Sequence, residues 1–144
     1  MSDVIVQAAR RWIGTPYQHQ QSQCGVGTDC LGLIRGIWRE VIGPEPEVVP
    51  HYSHDWGEAG AEEILHLATL RHLVAKPLAD PAIGDVLLFR MRRGCIAKHL
   101  GVQVQTGAAP SFVHAYSGHC VTESPLSQAW ARKIVARFQF PLER

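Results

Sequence analysis

The stretch "GTDCLGLIRGIW", residues 27–38, sets a glycine, a hydroxyl and a carboxylate directly before Cys30 and then runs into a strongly apolar helical pattern. Leu33, Ile37 and Val41 fall on one row at helical spacing and Cys30, Ile34 and Trp38 on the next, so the spacing predicts a largely buried helix. Thr28 or Asp29 is placed to cap its start, because a short side-chain oxygen there can accept an N–H that the first turn leaves unpaired. Gly43-Pro44 stops it. Cys30 therefore opens the helix, where unpaired N–H groups and the helix dipole favour negative charge and lower a thiol's pKa. Such a thiol is either a small apolar filler beside Leu31, Leu33 and Ile34 or a nucleophile, and the nucleophile needs a base from elsewhere in the chain.

On the N-terminal side, Val4, Ala8, Ala9 and Trp12 recur at helical spacing until Gly14 and Pro16, which predicts a short amphipathic helix. Residues 17–28, "YQHQQSQCGVGT", are polar, glycine-containing and aperiodic, and read as a loop. On the C-terminal side, the proline-rich "PEPEVVPHYSHDWGEAG" (44–60) precedes "AEEILHLATLRHLVAKPL" (61–78), a third helical pattern. Residues of about 43–80 read together as a helical insertion within a single domain spanning 1–144. The second half changes period. "DVLLFRM" (85–91), "KHLGVQVQ" (98–105), "SFVHAYS" (111–117) and "CVTES" (120–124) are short, β-rich and punctuated by glycine. Ser124-Pro125 reads as a cap and first residue of a short helix through Trp130, and "IVARFQF" (134–140) closes the chain as a strand. Helices first and strands second predict an α+β fold with an antiparallel sheet.

Fourteen Lys and Arg against thirteen Asp and Glu leave the charge nearly balanced, which argues against a nucleic-acid partner. The opening "MSDVIVQAARRWIG" is cut by Arg10 and Arg11 and lacks a small-residue cleavage site, so neither a signal peptide nor a membrane span is expected and the chain is expected to be made in the cytoplasm. In that reducing setting Cys24, Cys30, Cys95 and Cys120 are expected to be free thiols. A metal site could draw on Cys24, Cys30, Cys95, His99, His119 and Cys120, but their spacings contain no tight ligand pair, and no metal is expected.

Of the eight histidines, His51, His54, His66 and His72 fall in the insertion and His19 in the polar loop, and these five read as solvated or structural. His99 and His114 differ, since each interrupts a strand pattern. Facing one another on neighbouring strands, and packed against the helix of Cys30, they would supply a base and its orienter.

"ARRWIGTPY", "TDCLGL", "GDVLLF", "HLGV" and "FVHAYSGHCV", in that order, resemble the NlpC family of papain-fold cell-wall peptidases, and the whole chain resembles the small peptidases encoded beside the tail genes of bacteriophages and gene transfer agents. The resemblance implies a papain-like fold with Cys30 as nucleophile, His99 as general base and acid, and His114 as the residue orienting His99. Tyr17, from "GTPY", would join the backbone N–H of Cys30 in the oxyanion hole, and no cofactor is implied. Leu31 departs from the serine that many members carry after the cysteine, which contributes to stem-peptide recognition. Asp29 is either the helix cap or a contact to a substrate amine. The implied activity is hydrolysis of an amide in peptidoglycan stem peptides, with the γ-D-glutamyl-diaminopimelate bond favoured. The protein would be carried in a tail particle among tail-tip proteins to act at the wall. An N-acetylmuramoyl-L-alanine amidase and a non-catalytic tail or wall-binding module are the alternatives.

Overall fold

The computed structural model describes residues 2–47 and 64–142. The apolar rows of the first forty residues become α1 (Ser2–Arg11) and α2 (Cys30–Val41), and the polar loop between them carries a two-residue hairpin, β1 (Ser22–Gln23) with β2 (Gly27–Thr28). There follow α3 (Ile64–His72), β3 (Val74–Lys76), β4 (Val86–Phe89), β5 (His99–Gln105), β6 (Ser111–His114), β7 (Thr122–Pro125), α4 (Gln128–Ala131) and β8 (Ile134–Gln139). The described residues form one six-stranded antiparallel sheet in the order β3-β8-β4-β5-β6-β7.

Strand alternation sorts the sheet's side chains into two layers. Val86, Leu88, Leu100, Val102, Val113 and Phe138 meet α1 and α2 through Ile5, Ala8, Ala9, Leu33, Ile34 and Ile37 in the main core. Leu87, Phe89 and Phe112 make a second, smaller cluster on the opposite face, roofed by Met91, Leu126, Trp130 and Ile134. Trp12, one residue past α1, is buried over Gly36 of α2. A Cβ on Gly36 would lie 2.0 Å from the Trp12 ring, so the glycine is what allows the indole to seat. On the second face, Asp85 and Arg137 form a buried ion pair at 2.8 Å, extended by Gln103 at 2.6 Å and Lys76 at 3.0 Å.

Five local expectations are corrected. Val4 is 41% exposed; the buried stripe runs through Ile5, Ala8, Ala9 and Trp12, which stand at i, i+3, i+4 and i+7, a row that leaves Val4 one position off its centre. The loop of 17–28 is not element-free, since its hairpin and a bridge between Tyr17 and Thr28 tie it together in pairings too short to produce a period. The helical pattern of 61–78 ends at His72, and the edge of β8 recruits Val74–Lys76 as a strand. The end of the expected insertion therefore belongs to the main sheet, and residues 48–63, with His51 and His54, lie outside the described residues. Ser124 and Pro125 finish β7, paired with Phe112 and Ser111, and the cap of α4 is Ser127. A proline is tolerated there because β7 is an edge strand with no further ladder to feed. The histidine pair, finally, is not packed as a whole against the helix of Cys30: His99 and His114 lie on the face of Phe89 and Phe112, and only His99 reaches Cys30, at the cleft described below.

Candidate active site

Asp29, not Thr28, caps α2: its Oδ1 accepts the Gly32 N–H at 2.8 Å. Oδ2 accepts the Gln20 N–H, also at 2.8 Å, so the carboxylate clips the loop to the helix start with both oxygens. Gly32 permits this closeness, since a Cβ there would lie 2.0 Å from the Gln21 carbonyl. Of the two roles open to Asp29, the geometry displays the cap; the residue, buried at 3% exposure, also borders the cleft described next.

Cys30 begins α2 and directs Sγ toward the backbone carbonyl of Lys98, 3.6 Å away. The next residue is His99, first of β5. A cleft of about 260 Å³ opens here, lined by Tyr17, Asp29, Cys30, Leu31, His99 and Tyr116 among others. Thiol and imidazole thus share one space, although they reach it from different sides of the sheet. His99 pairs in register with Phe89 and projects with it and Phe112 onto the face opposite α1 and α2, where Trp130 of α4 packs on it. Cys30 meets it at the rim of the sheet, where α2 begins beside the start of β5.

His114 stands opposite Gly101 on β6, which makes it the diagonal neighbour of His99 on the same face. The two rings meet through His99 Nε2 and His114 Nδ1 at 2.9 Å. One strand further, Ser124 is paired with Phe112 and lies diagonal to His114, whose Nε2 is 3.0 Å from the Ser124 Oγ. His99, His114 and Ser124 therefore run in a line across β5, β6 and β7. Trp130 packs on both imidazoles, with ring centroids 5.7 Å from His99 and 5.1 Å from His114.

This aromatic enclosure governs the charges. Burial depresses His99 to about 3, with the neighbouring His114 adding to the effect, and depresses His114 to about 4, with His119 contributing. Cys30 is pushed up to about 12, chiefly by burial and then by Asp29. The backbone N–H groups of Leu31 and Cys30 at the helix start, and of Leu100 in β5, act in the lowering direction, but lost solvation outweighs them. The resting site is a neutral thiol beside neutral imidazoles. Tyr17, half-buried at the cleft, is raised to about 12 by burial and then by Cys30 and Asp29, and so remains a hydroxyl donor.

Of the remaining described histidines, His19 also lines the cleft, and the others lie outside it. His72 pairs with Glu47, His66 sets its ring edge-on to Phe138, and His19 approaches Asp29 at 4.0 Å. His119 stacks on Tyr116. All four cysteines are free, and among the described residues no three His, Cys, Asp or Glu side chains converge as metal ligands. No described helix is long and apolar enough to cross a membrane. Ser124 and Trp130 were not legible as site residues. Alternation along β7 would have put Ser124 on the His114 face, but the Ser-Pro pair reads locally as a helix start.

A helix that opens on a cysteine at the rim of an antiparallel sheet bearing a histidine pair defines a papain-like α+β domain. Residues 14–139 match the NlpC/P60 family, and the chain belongs to it. The NlpC/p60 domain of the peptidoglycan hydrolase SagA is similar in structure, with TM-score 0.66 and 20% identity over 97% of this chain and 99% of that one. An NlpC/P60 family protein of Bacillus cereus gives TM-score 0.68 and 18% identity, covering 97% of this chain and 40% of its own. A lipoprotein-like NLP/P60 protein of Staphylococcus aureus gives 0.62 and 17%, and this chain spans only 41% of it. No curated protein matches the chain.

Proposed function

We propose that the chain is a cysteine peptidase that hydrolyses an amide bond in peptidoglycan stem peptides, with Cys30 as nucleophile, His99 as base and acid, His114 as orienter and Tyr17 as oxyanion donor. The observation that carries this reading is the shared cleft of Cys30 and His99, with His99 backed by His114 at 2.9 Å. Because His99 Nε2 is engaged by His114, Nδ1 is the nitrogen available to the cleft. Since thiol and imidazole rest neutral, proton transfer accompanies attack: Nδ1 takes the thiol proton as Sγ bonds to the carbonyl carbon. The Tyr17 hydroxyl and the Cys30 N–H hold the oxyanion. The imidazolium, steadied by His114, then returns the proton to the leaving amine, and a thioester remains. Water, deprotonated by the same nitrogen, releases the acid and restores the thiol.

Membership of the NlpC/P60 family supports the cell-wall substrate, as does the fold shared with a domain named as part of a peptidoglycan hydrolase. The γ-D-glutamyl-diaminopimelate bond and the placement in a phage or gene-transfer-agent tail, beside tail-tip proteins, rest on the order of motifs in the sequence. The test is mass spectrometry of purified muropeptides incubated with the protein and with Cys30→Ser. New termini at D-glutamate and diaminopimelate are expected from the first and none from the second. Free lactyl-muramic ends would instead show an amidase, unchanged muropeptides a binding module, and full activity in Cys30→Ser would overturn the nucleophile.

A further inference from the structure

We propose that Ser124 is a positioning residue: by accepting the Nε2 proton of His114 it sets the tautomers of both histidines and leaves His99 Nδ1 bare toward the Cys30 thiol. The inference rests on the catalytic reading above and adds a fourth member to its line.

The reasoning is a count of protons along two observed contacts, His99 Nε2 to His114 Nδ1 at 2.9 Å and His114 Nε2 to Ser124 Oγ at 3.0 Å. A neutral imidazole carries one N–H and one bare nitrogen. If the Ser124 oxygen accepts from His114 Nε2, then His114 Nδ1 is bare and must accept from His99 Nε2. His99 Nδ1 is then bare and can take a proton from the thiol. If Ser124 donates instead, every bond reverses, and His99 presents an N–H to Cys30 that cannot act as a base. The direction of one hydroxyl thus decides whether the pair is competent. Ser124 is suited to accepting, because it is half-buried at the edge strand β7, where its own hydrogen can reach water. His114 is 2% exposed and enclosed by Phe112, Tyr116 and Trp130, so the hydroxyl is the contact through which its Nε2 is satisfied.

The experiment combines nitrogen-15 NMR of labelled histidine at neutral pH with the rate of Cys30 alkylation by iodoacetamide, read by peptide mapping to separate it from the three other cysteines. The wild type should show the Nε2–H tautomer at both His99 and His114. Ser124→Ala should give mixed tautomers and slow both Cys30 alkylation and turnover by roughly tenfold, the equivalent of one neutral hydrogen bond at about 1.4 kcal/mol per decade. Ser124→Thr, which keeps the hydroxyl, should restore both. An Nδ1–H signal at His99 in the wild type, or unchanged tautomers and alkylation in Ser124→Ala, would overturn the proposal. Neither result touches the nucleophile, which is tested separately by Cys30→Ser.

Discussion

Lowering the pH from about 7 to about 5 should destabilise this protein through two buried side chains, His99 and His114. His99 and His114 have folded pKa values depressed from 6.5 to about 3 and about 4, because each is buried among rings and beside another imidazole. For a depressed group the unfolded chain binds the proton first, so its contribution to stability is complete above the unfolded value and is lost as the pH falls toward the folded one. Over this window an unfolded histidine gains a proton that the folded one refuses, which costs about 2 kcal/mol per residue, or roughly 4 kcal/mol for the pair. That magnitude needs only that both folded values lie below about 4.5. The carboxylates with lowered values, Glu45, Glu47 and Glu123, start from 4.5 and stay ionised through most of the window. Urea unfolding at half-unit pH intervals measures the effect, with His99→Gln/His114→Gln as the comparison. The six other histidines are common to both proteins and cancel. The double variant should lose roughly 4 kcal/mol less than the wild type between the two pH values. Parallel profiles, agreeing within about 1 kcal/mol, would refute the claim that burial holds the pair neutral.

Tyr17→Phe removes a hydroxyl that burial keeps protonated, so kcat on muropeptides should fall by roughly a hundredfold with the melting temperature little changed. Gly36→Ala forces a methyl group against the Trp12 ring and should destabilise by about 1–3 kcal/mol in urea melts, an effect that Trp12→Leu in the same chain should partly relieve. Asp85→Ala strands the buried Arg137 charge, whose Nε already has no hydrogen-bond partner, and should cost about 3–5 kcal/mol by the same measurement.

Much of this molecule was readable from its chain because the signals are local. The apolar rows around Leu33, Ile34 and Ile37 make α2 a buried helix whatever surrounds it, and an Asp one residue before Cys30 caps it through contacts three residues long. The same holds for β4 to β6, whose β-rich runs are short and clearly bounded. His99 and His114 could be singled out for the same reason, each being a polar interruption in an otherwise apolar strand. Pairing was not local. Val74–Lys76 continues a helical pattern and becomes a strand only because β8 offers an open edge, and Ser124-Pro125 carries a helix-start signature that yields to the ladder with β6. Strand register, a long-range quantity, also decided that the histidines face away from α1 and α2 and line up with Ser124, and burial, for the imidazoles under Trp130, decided that thiol and imidazole rest neutral. A sequence specifies which side chains can do acid–base and thiol chemistry; their protonation and mutual orientation depend on solvent exclusion and cross-strand neighbours, which exist only once the sheet has closed over them.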